Sequence, residues 1–331
     1  MGNGQWDDIV AWFSDARNYI VCYEYKCSEC SNRNGTKATH VIHNWYTMIY
    51  PNDFSVCMRS IECKVCNYSV YTEAKQHEFE GDYCKDCGYL NAITKDFTDP
   101  LFLAEVRRLV GKPTGDIYPS DVAKITMISI FGKVIHDFKG IEHFINMTYF
   151  YYNYNTNVQT KLDLSKNTKL STVSIMGQNM PVIDLSANHA LTYIDVRTSR
   201  VSTLYLPEND INLKILYCSG NPINTIDVSR YINLNTLYVD ETGITELDVT
   251  QNVNLTELHF DRTSIRSIDL SNNLKLHTLM LRNSRLSELD LSVNSKIERM
   301  ILTGNHFPDI SAVILHPNVT WGSEIIFGTQ R

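Results

Sequence analysis

From about residue 125 to residue 312, hydrophobic and polar positions recur on one plan. A pattern of the form L-x-x-L-x-L starts at Ile125, Met147, Leu170, Leu191, Leu213, Leu234, Leu255, Leu276 and Ile297. A second triplet lies between these starts: Leu162-Asp163-Leu164, Ile183-Asp184-Leu185, Leu204-Tyr205-Leu206, Ile226-Asp227-Val228, Leu247-Asp248-Val249, Ile268-Asp269-Leu270 and Leu289-Asp290-Leu291. Its members stand 21 residues apart, with one interval of 22. A fixed period in that range predicts a solenoid, because each coil buries its apolar face only against a neighbouring coil. Alternation within L-x-x-L-x-L predicts a strand in each coil, with apolar side chains inward and the intervening ones facing solvent. Nine coils result. The last seven are regular, whereas Ile125-x-x-Ile128-x-Ile130 and Met147-x-x-Phe150-x-Tyr152 are irregular.

The polar half of the unit places Asn167, Asn188, Asn252, Asn273 and Asn294 three residues after the triplet's last apolar residue. Asn side chains bond their own backbone at turns, and stacked they can satisfy a loop that would otherwise leave buried amides unpaired, so these read as structural residues. Asn221 and Asn305, just after a strand, read the same way. Cys218 takes an inward strand position and reads as a core thiol. Val319 to Phe327 reads as a final strand closing the open end of the core.

Ahead of the repeat, Asp99-Pro100 precedes Leu101, Phe102, Leu103, Val106, Leu109 and Val110, which predicts an N-capped helix stopped by Gly111 and Pro113. Tyr118-Pro119-Ser120-Asp121 starts a second short helix reaching Lys124. Residues 97–124 therefore read as a helical cap, since the first coil of a solenoid otherwise exposes its core. At the start of the chain, Trp6, Ile9, Val10 and Phe13 share helical spacing and predict a short amphipathic helix.

Cysteines change the picture of residues 1–96. Eight of the nine fall between Cys22 and Cys87, three pairs of them as C-x-x-C: Cys27/Cys30, Cys63/Cys66 and Cys84/Cys87. Such pairs aim two thiolates at one point, as a tetrahedral ion requires, and cannot easily bridge to each other as disulfides. With His43, Cys57 and His77 they give nine candidate ligands, enough for two structural zinc ions. One partition groups His43, Cys57, Cys63 and Cys66, leaving Cys27, Cys30, His77, Cys84 and Cys87. The other joins Cys63/Cys66 to Cys84/Cys87. Thiolate-rich sites are closed and structural, and H-E-x-x-H is absent, so a zinc hydrolase is the lowest-ranked reading. The metal would fold a module too small for its own core. His43-Asn-Trp45 and His77-Glu-Phe79, each followed by C-x-x-C, resemble small Cys/His units flanking repeat domains in bacterial surface proteins.

Net charge is −7, and residues 1–100 hold nine Lys and Arg against fourteen Asp and Glu. Neither part has the basic excess that phosphate neutralisation needs, which excludes nucleic acid as the expected partner. No apolar run approaches the roughly 18 residues of a membrane span, so no membrane insertion is expected. The first residues, Met-Gly-Asn-Gly-Gln-Trp, show no signal-peptide pattern.

The array resembles the leucine-rich-repeat superfamily, nearest to the bacterial 21–22-residue class that includes the internalins. Ile125–Phe144 looks like the irregular leading coils of that class, while Thr242, Thr263 and Ser284 stand where its turns carry Asn. The resemblance implies an α/β fold: a right-handed solenoid over 125–331 with parallel strands on its concave face, preceded by the zinc module of 1–96 and the cap. It implies recognition and no reaction. A secreted or cell-surface protein binding a protein ligand is expected, with a carbohydrate-binding protein as the alternative and a cytoplasmic location as the second choice.

Binding is expected on the outward strand positions, which carry Tyr149, Tyr151, Tyr193, Asp195, Arg197, Tyr217, Tyr238, Asp240, Glu257, His259 and Arg282. Aromatic side chains and Arg are enriched at interface hot spots. Asp240, Glu257, Asp261 and His259 also imitate an acid/base cluster, for which a solvated charged face is the plainer reading.

Overall fold

The computed structural model describes residues 40–49, 55–63, 69–85, 89–153, 159–208 and 212–331. The chain divides into two compact units, Met1–Ala92 with Tyr118–Ser120, and Ile93–Ile117 with Asp121–Arg331. The division falls ahead of the expected start of the cap at residue 97. Ile93 and Phe97, 1% and 4% exposed, already belong to the core of the second unit.

In the first unit, β1 (His40–Ile49), β2 (Ser55–Cys63) and β3 (Ser69–Lys75) form an antiparallel sheet in chain order. Two short strands, β4 (Phe79–Glu80) and β5 (Tyr83–Cys84), make a hairpin that turns through Gly81 at φ 62°. None of these strands was legible from the cysteine pattern.

The second unit begins with helix α1 (Pro100–Val110). Asp99 caps it, its Oδ1 accepting from Leu101 N at 2.8 Å and Phe102 N at 3.1 Å, while Gly111 ends it in the left-handed conformation. A short helix α2 (Pro119–Val122) follows in the chain, its first two residues counted with the first unit. Phe102 from α1 meets Phe138 edge-on at 4.9 Å, so the helix shares one core with the first coils.

The repeat then lays down β6 (Met127–Phe131), β7 (Tyr149–Asn153), β8 (Thr172–Met176), β9 (Val182–Asp184), β10 (Tyr193–Asp195), β11 (Thr203–Tyr205), β12 (Ile215–Tyr217), β13 (Thr236–Tyr238), β14 (Glu257–His259), β15 (Thr278–Met280), β16 (Leu289–Leu291), β17 (Arg299–Ile301), β18 (Val313–Leu315) and β19 (Ile325–Ile326). β6, β7, β8, β10, β12, β13, β14, β15, β17 and β19 form one ten-stranded parallel sheet, neighbours following chain order. Nine strands are the expected coils, and the tenth is the tail. β9 with β11, and β16 with β18, pair separately in the other half of the coils.

Register makes the inward ladder continuous. Ile128, Phe150, Val173, Ile194, Leu216, Leu237, Leu258, Leu279 and Met300 each sit 0% exposed and opposite one another. Full burial of such a side chain stabilises by about 1.5–3 kcal/mol. The irregular leading coils build full strands regardless. Tyr152 takes an inward position because its hydroxyl accepts from Ile135 N at 3.0 Å and donates to Ile135 O at 3.3 Å.

The buried asparagines satisfy the stacked loops, and Asn221 and Asn305 also bond their own turn, at Cys218 O (2.8 Å) and Leu302 O (2.7 Å). Each donates across the coil boundary: Asn188 Nδ2 reaches Leu164 O and Asn167 O at 3.0 Å, and Asn273 Nδ2 reaches Val249 O and Asn252 O at 2.9 Å. The loop carbonyls of one coil, each already accepting a backbone amide of its own coil, thus gain a second donor when the next coil stacks on them. The turn after each strand survives the loss of Asn, because Thr242 donates its hydroxyl to Val239 O and Thr263 to Phe260 O. Among the described residues no helix is long and apolar enough to cross a membrane.

Candidate functional site: the outward face of the parallel sheet

Parallel register turns sequence period into side-chain columns. One column runs Ser129, Tyr151, Ser174, Asp195, Tyr217, Tyr238, His259, Met280, Ile301, each residue opposite the next. Strands about 4.8 Å apart bring large side chains in such a column into contact. Tyr193 meets Tyr217 edge-on at 5.7 Å, Tyr217 leans on Tyr238 at 4.5 Å, and Tyr238 stacks flat on His259 at 3.8 Å and 5°. Four predicted residues therefore form one aromatic row across four strands. Tyr149 and Tyr151 form a second group, their rings parallel within 6° at 6.4 Å. Thr172 and Ser174 of β8 separate the two groups.

Not all outward positions face solvent as expected. Thr172, Ser174, Thr236, Met280 and Asp195 are buried, Asp195 to 1% exposure.

Asp195 is the clearest case. Arg197 grips it with two nitrogens, Nε to Oδ1 at 2.9 Å and a terminal nitrogen to Oδ2 at 2.7 Å, and Tyr193 donates its hydroxyl at 3.3 Å. The guanidinium lies 4.8 Å above the Tyr217 ring, a cation–π contact. Burial, reinforced by the Asp195 charge, pushes the Tyr193 phenol up to about 12. Burial raises the Tyr217 and Tyr238 phenols as well, so all three are neutral donors at physiological pH.

At the other end of the row, Tyr238 donates to Glu257 Oε2 at 2.7 Å. Asp240 accepts from Ser219 Oγ at 2.9 Å and from Asp261 N at 2.8 Å. Burial holds the Asp240 carboxyl above the usual carboxylate range, those two hydrogen bonds pulling it back only in part. Arg282 pairs with Asp261, Nε to Oδ2 at 2.7 Å. Burial lowers His259, against the pull of Asp240, Asp261 and Glu257, and its Nε2 is buried without a hydrogen-bond partner. A neutral imidazole is the consequence. Ser219 and Asp261 complete this cluster and were absent from the expected binding set. Their signal was the column they share with Arg197, Asp240 and Arg282.

Of the expected metal ligands, Cys27, Cys30, Cys66 and Cys87 lie outside the described residues, as do the side chains of His43, Cys57 and Cys63. Backbone placement still bears on the partition. Cys57 and Cys63 belong to one strand, β2, six residues apart, which separates their Cα atoms by about 20 Å. Near β5, Cys84 N donates to Tyr89 O at 2.8 Å, and His77 stacks on Tyr89 at 4.7 Å, bringing buried Cys84 and His77 into one hairpin. Cys218 is fully buried and its thiol is pushed up to about 12 by that burial, the state of a core residue.

No family model matches the chain, and no curated protein matches it in sequence. Among solved structures, the functional domain of InlJ from Listeria monocytogenes, which includes a cysteine ladder, is 24% identical, with a TM-score of 0.50, covering 67% of this chain and 54% of that one. This chain thus spans about half the length of that domain. Internalin C2 from Listeria monocytogenes is 21% identical at a TM-score of 0.49, covering 73% of this chain and 97% of that one. The leucine-rich repeat domain of APL1B is 12% identical at a TM-score of 0.48, covering 64% of this chain and 74% of that one. The in-register ladder of 21-residue coils, with its likeness to the InlJ domain, identifies the fold of the second unit as a leucine-rich-repeat solenoid.

Proposed function

We propose that this chain is a non-enzymatic recognition protein, internalin-like in kind, that binds a protein ligand on the outward, concave face of its sheet. The observation that carries the reading is the unbroken row Tyr193, Tyr217, Tyr238 and His259, with Arg197 over it and acids beside it. Three strand spacings make the row roughly 14 Å long, the scale of a hot-spot cluster within a protein interface. Tyr217, Tyr238 and His259 lean or stack on one another, which leaves little open ring face to a ligand. A sugar needs an open ring face, so a protein is favoured there.

A carbohydrate reading attaches instead to Tyr149 and Tyr151, where the parallel rings include one 43% exposed. The zinc-hydrolase alternative rests on residues 27–87 of the first unit, where Cys27, Cys30, Cys66 and Cys87 lie outside the described residues. Secretion or attachment at a bacterial surface is what the internalin resemblance implies, and α1 would close the first coil.

The test is capture of proteins by the immobilised chain beside a Tyr217→Ala/Tyr238→Ala variant, with a glycan array run on both. Capture lost with those rings, and no glycan bound, is the expected result. Capture unchanged by the variant sinks the protein reading, and a glycan signal that needs Tyr149 and Tyr151 replaces it.

We also infer structural zinc in the first unit. Cys63/Cys66 joined with Cys84/Cys87 is the partition that the spacing along β2 favours, leaving Cys27, Cys30, His43, Cys57 and His77 as candidates for a second ion. Metal analysis of the full chain is expected to give about two zinc ions, falling by about one in Cys63→Ser. Zinc-free protein that is folded overturns the inference.

A further inference from the structure

The aromatic row ends among acids that lack cations. We propose that the β13–β14 end of the face receives a basic side chain, arginine or lysine, from the protein ligand. This deepens the recognition reading and rests on it. Two of the acids on the face are already neutralised within the chain, Asp195 by Arg197 and Asp261 by Arg282. Asp240 and Glu257 accept only neutral donors, Ser219 and a backbone amide for the first, Tyr238 for the second. Neither has an ion-pair partner among the described residues. Asp240, Glu257 and Asp261 against Arg282 leave this end two negative charges in excess. A partly buried carboxylate without a cation is destabilised, and a cation brought by a partner relieves it.

The chain itself displays the completed arrangement two coils away. There Arg197 holds Asp195 with two parallel hydrogen bonds and lies over the Tyr217 ring. At β13–β14 the carboxylates of Asp240 and Glu257 and the rings are present, but the one guanidinium there, Arg282, is held by Asp261. The face is otherwise uncharged over its first three strands, whose outward positions run from Met127 to Met176 without an ionisable acid or base. A ligand suited to the whole face would therefore be apolar toward β6–β8 and basic toward β13–β14.

A fluorescent hexa-arginine peptide, with hexa-citrulline as its neutral isostere, tests this by anisotropy on the full chain. Asp240→Asn/Glu257→Gln is compared with Glu246→Gln/Glu288→Gln, which removes equal charge at exposed sites off the strand face. The expected result is about tenfold weaker hexa-arginine binding in the first variant, less than twofold in the second, and no hexa-citrulline binding. Equal weakening in both variants, equal binding of hexa-citrulline, or no binding of hexa-arginine overturns the proposal. If the first variant loses its native circular dichroism, Glu257→Gln alone carries the comparison. Should the peptide result fail while the tyrosine double variant still loses captured proteins, the basic partner falls and the recognition reading stands. If the tyrosine variant loses nothing, both fall.

Discussion

Replacing Asn273 by alanine tests whether the buried asparagines weld coil to coil. Asn273 is 0% exposed, and its Nδ2 donates to Val249 O and Asn252 O of the preceding coil at 2.9 Å. Both carbonyls also accept backbone bonds, Val249 O from Asn252 N at 2.9 Å and Asn252 O from Leu255 N at 3.0 Å. Removing the side chain therefore leaves no carbonyl orphaned. The cost is that of two ordinary hydrogen bonds, about 1–3 kcal/mol, rather than the larger penalty for stranded groups. Asn273 Oδ1 is buried without a partner, and losing it trims that figure. Asn273→Asp is expected to cost more at pH 7, because a buried carboxylate would face two carbonyls. Its folded pKa would be raised, so the deficit grows as pH rises through that value and shrinks in acid, where the protonated form can donate.

Urea denaturation followed by far-ultraviolet circular dichroism reads both variants. Asn254→Ala is the control, since its Nδ2 reaches Ile232 O at 2.9 Å in an exposed setting where water can substitute; it should stay within about 0.5 kcal/mol. A cost for Asn273→Ala no greater than the control, or Asn273→Asp at least as stable as Asn273→Ala at pH 7, refutes the welding argument. Because coils interact only with neighbours, a weakened central joint should also lower the denaturant slope as unfolding splits into two halves.

Asp99→Ala removes the α1 cap and an acceptor for His136 N at 2.8 Å, and should cost about 2–3 kcal/mol, with Asp99→Asn costing less; a chemical melt equal to wild type would refute it. Gly140→Ala places a methyl 2.4 Å from the Phe97 ring at a φ of 98°, and should destabilise by roughly 2–4 kcal/mol; a variant melting within a degree of wild type contradicts that packing. For Asp240, burial raises the folded pKa, so the wild type loses stability as pH rises through it. Asp240→Asn escapes that loss and should be the more stable protein at pH 7 but not below about pH 4; a difference independent of pH disproves it.

The coil ladder was legible because burial has a period. An inward Leu237 recurs as Leu258 and Leu279, and nothing but stacking buries all three. The columns followed from the same period, so the membership of Tyr193, Tyr217, Tyr238 and His259 in one surface could be read from residue numbers. Their contacts could not. Whether Tyr238 lies flat on His259, or Arg197 over Tyr217, depends on rotamers that period does not encode, and the burial of Asp195 follows from those rotamers. The direction of the Asn donors was hidden too, since one sequence suits a local turn or a bond to the preceding coil. In the first unit, cysteine spacing suggested chemistry without geometry. The extended backbone of β2 was what separated Cys57 from Cys63.

A repeat that specifies its fold so tightly confines function to what breaks the repetition. Inward positions and loop asparagines are held by neighbours 21 residues away on both sides, so substitution there is read as stability. The outward columns carry no such constraint, and their chemistry changes along the array. Polar, apolar and aromatic residues occupy β6–β8; a clamped acid–arginine pair follows at β10; acids without cations come at β13–β14. Self-packing explains the rings, because each contacts the next. It does not explain Asp240, whose charge burial opposes and whose neighbours offer no cation. A group kept at a cost to the free protein is where a ligand's contribution is largest, and so Asp240, more than any tyrosine, separates a binding face from a merely well-packed one.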